Sequence, residues 1–426
     1  MRRVVVTGMG VISPVGNDLE SFWNNLTEGK NGVGMITRFD TTEQKVKVAA
    51  EVKDFEPTKY IEKSQVRKTD LFAQYALAAA VQAMEDAGLK SGENIDAERL
   101  GVYVGSGTGG INTITEQCNK FAQSGPKHIS PFLVPMMIGN IASGSIAIRF
   151  DAQGPNLPVV TACATSTHAI GEAFHAICHG YADAIISGGA EAAINEVAIA
   201  GFANCKALTT CEDPESACTP FDKRRSGFVM GEGAGILVLE EYEHAKARGA
   251  HIYAEMVGYG NTCDAHHITA PHPEAKGASR AFKLALQEAG IEDLAKETIY
   301  INAHGTSTPL NDKSETLAIK LGLGEEAARK AYISSTKSMT GHMLGAAGAV
   351  EAIASVMTLK TGIIAPTIHY EQPDEDCDLN YVPNQAVKAD VTLAISDSLG
   401  FGGHNGCIAF SKLKDQGEAV DEPSGY

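Results

Sequence analysis

The sequence lacks a membrane-spanning run, a cysteine-pair motif and an excess of positive charge. No stretch of about 18 consecutive apolar residues occurs, which argues against a transmembrane helix. The nine cysteines are odd in number and none forms a CxxC pair, so reduced cytosolic thiols fit better than a disulfide framework or a zinc ribbon. Lys and Arg total 35 against 52 Asp and Glu, a net charge of −17. This balance argues against general nucleic-acid binding, and an acidic partner would need a local basic patch.

The first residues resemble a short signal peptide, because Arg2 and Arg3 precede an apolar run. That run breaks at Thr7 and Gly8, far short of the apolar core of a signal peptide. We therefore predict that the run is the first β-strand and that the protein is cytoplasmic.

Short apolar runs followed by small residues alternate with helical patterns along the first half. The runs cover residues 4–6, 101–104, 159–160, 184–186 and 235–239, and helical periodicity covers 70–87 and 165–179. Such alternation is typical of α/β proteins, in which helices cover both faces of nearly continuous apolar strands. The 426 residues, 44% of them hydrophobic, are enough to bury a large core.

The second half repeats the same order of elements. Strand-like runs at 298–301, 332–336, 393–396 and 407–410, with a helical stretch at 344–359, follow one another as their counterparts do. We predict a duplicated α/β unit. Residues 1–250 form an N-terminal half with the nucleophile, residues 251–413 form a C-terminal half with two histidines, and the polar residues 414–426 form a disordered tail.

Cys163 lies between the apolar run that ends at Val160 and the helical pattern that begins at Thr165. Unpaired amides and the macrodipole at a helix N-terminus stabilise an anion. We therefore expect a thiol with a lowered pKa that acts as a nucleophile. The alternative is a small buried core residue, which is what most cysteines are.

Two histidines follow predicted strands of the second half, each among Gly, Ser and Thr. Strand ends of duplicated α/β layers converge on one cleft, so we expect His304 and His342 near Cys163. Such a site allows acyl transfer or hydrolysis with a histidine base, or acyl transfer coupled to a carbanion held by neutral histidines. The Gly-Phe-Gly-Gly run at 400–403 offers backbone amides for an oxyanion hole, or forms a tight turn.

Together these motifs resemble the elongating β-ketoacyl-acyl carrier protein synthases, and most of all synthase II of bacterial fatty-acid synthesis. The resemblance covers residues 3–412 and rests on the sequences around Cys163, His304 and His342 and on the 400–403 run. It implies a thiolase-like α/β fold, a duplicated five-layer αβαβα sandwich, and a homodimer. The implied reaction is a decarboxylative Claisen condensation, in which malonyl-acyl carrier protein extends a cysteine-bound acyl chain by two carbons.

The resemblance also implies roles for individual residues. Cys163 carries the acyl chain, and His304 and His342 hydrogen-bond the malonyl thioester and stabilise its enolate. Lys337 orients the site and Glu351 supports it from behind. No cofactor is required for this chemistry, because the substrates arrive on the phosphopantetheine of acyl carrier protein. The other implied site residues are Phe401 (gate and, with the Cys163 amide, oxyanion hole), Gly400 and Gly402 (supporting), Thr306 and Thr308 (pantetheine), and Thr108 and Phe202 (acyl tunnel).

Acyl carrier proteins are acidic, and so is this chain. Family members bind them on a basic patch, and the resemblance transfers that role to exposed cations of this sequence. The matching residues are Lys63, Arg67, Lys68, Lys127 and Lys206.

Two positions depart from the family pattern. Asp397 replaces a common asparagine, in a region that holds a structural monovalent cation in some relatives. The matching residues here are Asn302, Glu351, Ser396 and Asp397, and the added charge leaves open whether K⁺ or Na⁺ binds. Thr108 stands where synthase II commonly has isoleucine, and we expect this smaller polar residue to change the acyl-chain preference.

Four rival classes fit the sequence less well. A thiolase uses coenzyme A and a second catalytic cysteine, but Cys407 lacks the thiolase pattern around it. The initiating synthases have asparagine in place of His342. Silent partner subunits of polyketide systems lack the nucleophile that Cys163 supplies, and a cysteine hydrolase needs neither a second histidine nor decarboxylation.

Overall fold

The computed structural model describes residues 1–413, and the predicted tail at 414–426 lies outside them. The strands are β1 (Val4–Ile12), β2 (Gly34–Met35), β3 (Val48–Ala49), β4 (Leu100–Gly105), β5 (Ala184–Glu191), β6 (Gly233–Glu241), β7 (Ala254–Cys263), β8 (Ile299–Asn302), β9 (Tyr332–Ser334), β10 (Ile363–Ile364), β11 (Val387–Lys388), β12 (Leu393–Gly400) and β13 (His404–Ser411). The helices are α1 (Leu19–Thr27), α2 (Lys63–Val66), α3 (Leu71–Ala87), α4 (Ile111–Ser124), α5 (Leu133–Met137), α6 (Ile141–Phe150), α7 (Thr165–Cys178), α8 (Glu196–Asn204), α9 (Tyr242–Ala247), α10 (Lys276–Glu288), α11 (Pro309–Leu323), α12 (Glu325–Lys330), α13 (Lys337–Thr340) and α14 (Ala347–Thr361). None of the helices in this described range is long and apolar enough to span a bilayer.

The main sheet has a mirrored strand order. Its nine strands run β4-β5-β6-β1-β7-β13-β12-β8-β9. The pairs β4–β5 and β8–β12 are parallel. The pairs β5–β6 and β6–β1 in one half, and β12–β13 and β13–β7 in the other, are antiparallel. The two halves join where residues 4–6 of β1 pair with 254–256 of β7. Two copies of one unit joined edge to edge give this order, and we propose that they meet near residue 250, just before β7.

Helices form three layers around the two halves of the sheet. Helix α3 packs on β1 and β6, and α10 packs on β7 and β13, so each covers the outer face of its own half. Helices α7 and α14 contact each other and strands of both halves, which makes them the middle layer. This is a five-layer αβαβα sandwich, and the predicted fold class is confirmed.

The local sequence explains where the first elements begin and end. Asp70 caps α3 by accepting a hydrogen bond from the Phe72 amide, and Gly88 ends the helix with a left-handed φ of 60°. The predicted first strand is confirmed, and β1 extends beyond the apolar run, through an irregular register at Thr7 and Gly8, to Ile12. A Cβ on Gly8 would lie 2.2 Å from the Ala83 carbonyl oxygen, so glycine at this position permits α3 to pack closely.

The predicted strand at residues 159–160 does not form. This segment runs beside β4, and the Leu157 amide donates to the Val102 carbonyl, but Pro158 has no amide to continue a ladder. Val160 is 62% exposed, in contrast to the fully buried residues of β4. Cys163 therefore follows an irregular extended segment rather than a strand.

Candidate active site

A cavity of about 380 Å³ opens where loops of the two halves meet. Cys163 and Phe228 line it from the first half, and His304, His342 and Phe401 line it from the second. His304 lies two residues after β8, and Phe401 lies directly after β12. Both residues therefore reach the cavity from the ends of strands in the second half. The structure thus brings together the cysteine, the two histidines and the glycine-rich turn that the sequence predicted.

Cys163 lies in a single 3₁₀ turn, residues 162–164, that precedes α7. The backbone amides of Phe401 and of Cys163 itself face the sulfur. Gly400 makes this approach possible, because a Cβ there would lie 2.8 Å from the Thr161 carbonyl oxygen and 3.3 Å from the Cys163 nitrogen. Two amides at the sulfur give the geometry of an oxyanion hole.

The predicted lowering of the thiol pKa is wrong for this site. Burial raises the pKa of Cys163 to about 12, although the charge of Lys337 and the Phe401 amide oppose the rise. The helix N-terminus that was expected to dominate starts only at Thr165, so desolvation outweighs it. The sulfur therefore holds its proton until a substrate arrives.

The two histidine rings stand at right angles, with centroids 5.2 Å apart. Nδ1 of His304 and both ring nitrogens of His342 are buried without a hydrogen-bond partner among the described residues. Burial holds the pKa of both rings well below the usual value, and the positive charge of Lys337 lowers each further. Both imidazoles are therefore neutral at physiological pH and present ring nitrogens for a ligand.

Lys337 and Glu351 form a completely buried ion pair behind the cavity. The ammonium opposes the rise that burial imposes on the pKa of the Glu351 carboxyl. The pair lies outside the cavity wall, so Lys337 acts on His304, His342 and Cys163 through its charge rather than through contact with a ligand.

Thr306 and Thr308 line the entrance of the cavity, and their hydroxyls lie 2.9 Å apart. The Phe401 ring also lines the cavity, and its centroid lies 6.5 Å from that of Phe202, which is not among the lining residues. Gly402 follows Phe401 with a φ of 88°, a backbone conformation that favours glycine.

Thr108 has a partner that sequence reasoning missed. Its hydroxyl donates to Glu191 Oε1 at 2.6 Å, and it is not among the residues that line the cavity of Cys163. Glu191 gives one sequence signal: it is a carboxylate at the end of an otherwise uncharged, fully buried strand.

Each of the five expected docking cations is exposed. Lys63, Arg67 and Lys68 lie on or just after α2, and the Lys68 ammonium lies 5.4 Å from the centroid of the Phe132 ring. Lys206 lines the mouth of the cavity. Within residues 1–413, neither these four nor Lys127 forms an ion pair with a carboxylate, so all five charges are available to an acidic partner.

Several buried oxygens at the expected cation position find no donor in the described chain. They are Glu351 Oε2, Ser396 Oγ and both carboxylate oxygens of Asp397, together with Glu315 Oε1, which the sequence analysis missed. Burial raises the pKa of both Asp397 and Glu315. Within residues 1–413 no cluster of three or more His, Cys, Asp or Glu side chains has the geometry of a metal site.

Family models match nearly the whole chain. The N-terminal domain of β-ketoacyl synthase matches residues 1–245, and the C-terminal domain of β-ketoacyl synthase matches residues 253–371. The chain is 52% identical over 413 residues to the 3-oxoacyl-(acyl-carrier-protein) synthase 2 of Staphylococcus aureus (strain COL), covering 97% of this chain and 99% of that protein. It is 51% identical over 414 residues to the Synechocystis sp. protein of the same name, with the same coverage.

Solved structures agree in fold over the same range. A β-ketoacyl synthase from Burkholderia phymatum STM815 superimposes with a TM-score of 0.89 at 35% identity, covering 97% of this chain and 100% of that chain. A type II PKS acyl-carrier protein in complex with its ketosynthase bound to the hexaketide gives a TM-score of 0.89 at 36% identity, with the same coverage.

Proposed function

Because this chain belongs to the β-ketoacyl synthase family, we propose that it is a 3-oxoacyl-acyl carrier protein synthase of type II fatty-acid synthesis. It lengthens a cysteine-bound acyl chain by two carbons taken from malonyl-acyl carrier protein. One observation carries the assignment of roles: a thiol faced by two backbone amides shares its cavity with two neutral imidazoles, and Nδ1 of His304 and both ring nitrogens of His342 are unpaired.

The first half-reaction transfers the acyl group. The Cys163 sulfur attacks the carbonyl carbon of the acyl thioester, and the amides of Cys163 and Phe401 hold the oxyanion that forms. The carbon–sulfur bond to the carrier then breaks, and the departing phosphopantetheine thiolate takes the proton that Cys163 loses. Because burial keeps the pKa of this thiol at about 12, attack and proton loss occur together.

The second half-reaction forms the new carbon–carbon bond. His304 and His342 each donate a ring N–H to the thioester oxygen of malonyl-acyl carrier protein. The bond to the carboxylate breaks, carbon dioxide leaves, and the electron pair becomes an enolate that the two donors stabilise. The enolate carbon attacks the acyl-enzyme carbonyl, its bond to sulfur breaks, and Cys163 leaves as a thiolate that takes up one proton from solvent.

The exposed cations indicate the carrier protein as the partner, and the residues that line the cavity indicate how the phosphopantetheine arm is held. Thr306 and Thr308 hold the phosphopantetheine arm, Phe401 gates the nucleophile, and Phe202 borders the acyl chain. An acidic carrier protein docks on the five unpaired cations described above. The nine free cysteines of residues 1–413 support a location in the reducing cytoplasm.

A second copy of the chain covers the exposed segment beside β4. Leu157 is 48% exposed and Val160 is 62% exposed, and Val134 and Ile148 on nearby helices are exposed as well. Large apolar side chains grouped on one edge of a sheet mark an interface. We propose a homodimer that forms across this edge.

The donor-free oxygens of Glu351, Ser396 and Asp397 fit a monovalent cation, because K⁺ and Na⁺ take oxygen ligands. Asn302, at the end of β8, would complete the set. Such an ion would balance the carboxylates around Lys337, and no step of the reaction passes through it.

The test separates the two half-reactions. We expect Cys163 to gain the acyl mass by mass spectrometry, and Cys163→Ala to prevent it. His304→Ala and His342→Ala should keep this acylation but stop the release of carbon dioxide from malonyl-acyl carrier protein. His251→Ala, an exposed histidine, serves as the control. Undiminished carbon dioxide release by His342→Ala would contradict the assigned roles.

A further inference from the structure

Glu191, at the end of β5, accepts five hydrogen bonds in a fully buried position. Its Oε1 accepts from the Ser106 hydroxyl at 2.9 Å and from the amide and hydroxyl of Thr108 at 3.0 and 2.6 Å. Its Oε2 accepts from the amides of Gly107 and Gly345 at 2.8 and 2.9 Å. Backbone amides can only donate, so both oxygens serve as acceptors, and donors such as Thr108 and Gly345 oppose the rise that burial imposes on the pKa of this carboxyl.

One of these donors belongs to the other half of the molecule. Gly345 comes three residues after His342, within the turn 344–346 that leads into α14, whereas the remaining donors lie at residues 106–108, directly after β4. The turn 344–346 packs against the 3₁₀ turn that holds Cys163. The Glu191 carboxylate therefore links the segment that carries His342 to the segment that follows β4. The first of these segments packs against the turn that holds Cys163.

The contact leaves no free space. A Cβ on Gly345 would lie 2.5 Å from the Gly107 nitrogen and 2.7 Å from Glu191 Oε2. The backbone on the other side of His342 is fixed too, because the His342 amide donates to the Val229 carbonyl at 2.7 Å. His342 is thus held on one side by its own amide and on the other by the turn 344–346, whose Gly345 amide donates to Glu191.

We propose that Glu191 is a positioning residue that fixes His342 relative to Cys163, with the Thr108 hydroxyl as part of the same clamp. The clamp acts on the step that needs both histidines, the decarboxylation of the malonyl thioester, more than on acyl transfer, which uses the amides of Cys163 and Phe401. This inference rests on the proposed function for the identity of these two steps.

Glu191 also acts on the Cys163 thiol through its charge. Its negative charge raises the pKa of the Cys163 thiol, whereas the positive charge of Lys337, the other charged group that acts on this sulfur, lowers it. A neutral replacement of Glu191 therefore lets the thiol ionise at lower pH. This shift reports the charge of Glu191 near the thiol, whereas the ratio of decarboxylation to acylation reports the position of His342.

The test compares Glu191→Gln and Thr108→Val with Thr115→Val, a control on α4 whose hydroxyl bonds only to its own helix. In Glu191→Gln we expect carbon dioxide release from malonyl-acyl carrier protein to fall by roughly 10- to 100-fold. Acylation of Cys163 should stay near the wild-type rate, and iodoacetamide alkylation of Cys163 should follow a pH profile moved to lower pH. Thr108→Val should lose decarboxylation to a smaller extent, and Thr115→Val should match the wild type.

Equal losses of decarboxylation and acylation in Glu191→Gln, or an unmoved alkylation profile, would overturn the proposal. If Glu191→Gln does not fold, Thr108→Val decides the matter by the ratio of the two rates, and an unchanged ratio counts against the clamp. Absence of carbon dioxide release by the wild type would defeat the proposed function instead. The alkylation profiles would still test Glu191 in that case, because they need no substrate.

Discussion

Burial sets the charge state of three reactive groups, and a single buried ammonium modifies all three. Lys337 disfavours protonation of His304 and His342 and favours the thiolate of Cys163, while Glu351 balances its charge. Neutral imidazoles can donate hydrogen bonds to an enolate without first having to lose a proton. The ion pair thus tunes the site without touching a substrate.

The acid side of the pH profile should reflect the lowered histidine pKa values. A free histidine titrates near a pH of about 6.5, but both rings keep their neutral form below that value. We therefore expect decarboxylation to decline only well below pH ~6.5, and Lys337→Met to move the decline toward higher pH. Carbon dioxide release measured against pH checks this, and a wild-type decline centred at or above the free value would contradict it.

Removal of one partner of the buried pair should destabilise the protein strongly. We expect Lys337→Ala to lower the free energy of unfolding by about 3–5 kcal/mol, because Glu351 is left as an uncompensated buried charge. The double variant Lys337→Ala/Glu351→Gln should recover part of that loss, which denaturant unfolding measures. A double variant less stable than Lys337→Ala would show that the ammonium does not serve to balance Glu351.

At the scale of elements, the site depends on turns that approach one another without side chains between them. The turn after β12 meets the turn before α7 at Gly400, and the turn before α14 meets the end of β4 at Gly345 and Gly107. Each meeting brings backbone amides to an anion, a developing oxyanion in one case and the Glu191 carboxylate in the other. Only glycine fits at these positions, because a Cβ would collide with the neighbouring atoms.

Gly400→Ala should slow acyl transfer. The new Cβ would lie 2.8 Å from the Thr161 carbonyl oxygen, so the Phe401 amide must move away from the sulfur. We expect acylation of Cys163 to fall by about 100-fold or more, the usual effect of losing one oxyanion donor. Gly201→Ala on α8 is the matched control, because nothing lies within 4 Å of its added Cβ. Acylation by Gly400→Ala at the wild-type rate would mean that this amide is dispensable.

Charge reversal at α2 should weaken carrier binding. We expect Arg67→Glu/Lys68→Glu to raise the KM for carrier-bound substrates, and more so at low salt, because screening weakens such steering. The double reversal Arg280→Glu/Lys283→Glu on exposed positions of α10 changes the net charge equally and should leave KM unchanged. Equal effects of the two double variants would attribute the change to net charge alone.

At the scale of the whole molecule, a strongly acidic protein keeps exposed cations on and after α2 and at Lys206, which lines the cavity, and an apolar edge beside β4. We propose that the cations bind an acidic carrier and that the edge binds another copy of the chain. The reactive groups come from both halves, so neither half alone contains a complete site. Function is a property of the assembled sandwich.

Val160→Glu should prevent dimer formation. The side chain is 62% exposed on the edge segment, and a charge there would be buried without a partner in a dimer. We expect light scattering to give the monomer mass for this variant and the dimer mass for the wild type. Tyr181→Glu, at a site that is 68% exposed, is the control. A dimer formed by Val160→Glu would place the interface elsewhere.

The sequence predicted most elements and the membership of the site, because both depend on local patterns. Alternating apolar runs indicated the strands, and the loops after them carry His304, His342 and Phe401. What depends on tertiary contact was missed. The rise in the Cys163 pKa reflects burial in the folded protein, and the partner of the Thr108 hydroxyl lies 83 residues away. Val160 was predicted to lie in a strand because an exposed apolar segment and a buried strand have the same kind of residue composition.

Strand β1 has consequences for biosynthesis. It leaves the ribosome well before both of its neighbours in the sheet, β6 and β7, which begin only at Gly233 and Ala254. At ordinary elongation rates this apolar segment waits for roughly 10 to 50 seconds with its peptide groups unpaired. Nascent chains should therefore depend on holdase chaperones. A truncated messenger RNA would yield an aggregation-prone fragment rather than a partly active enzyme.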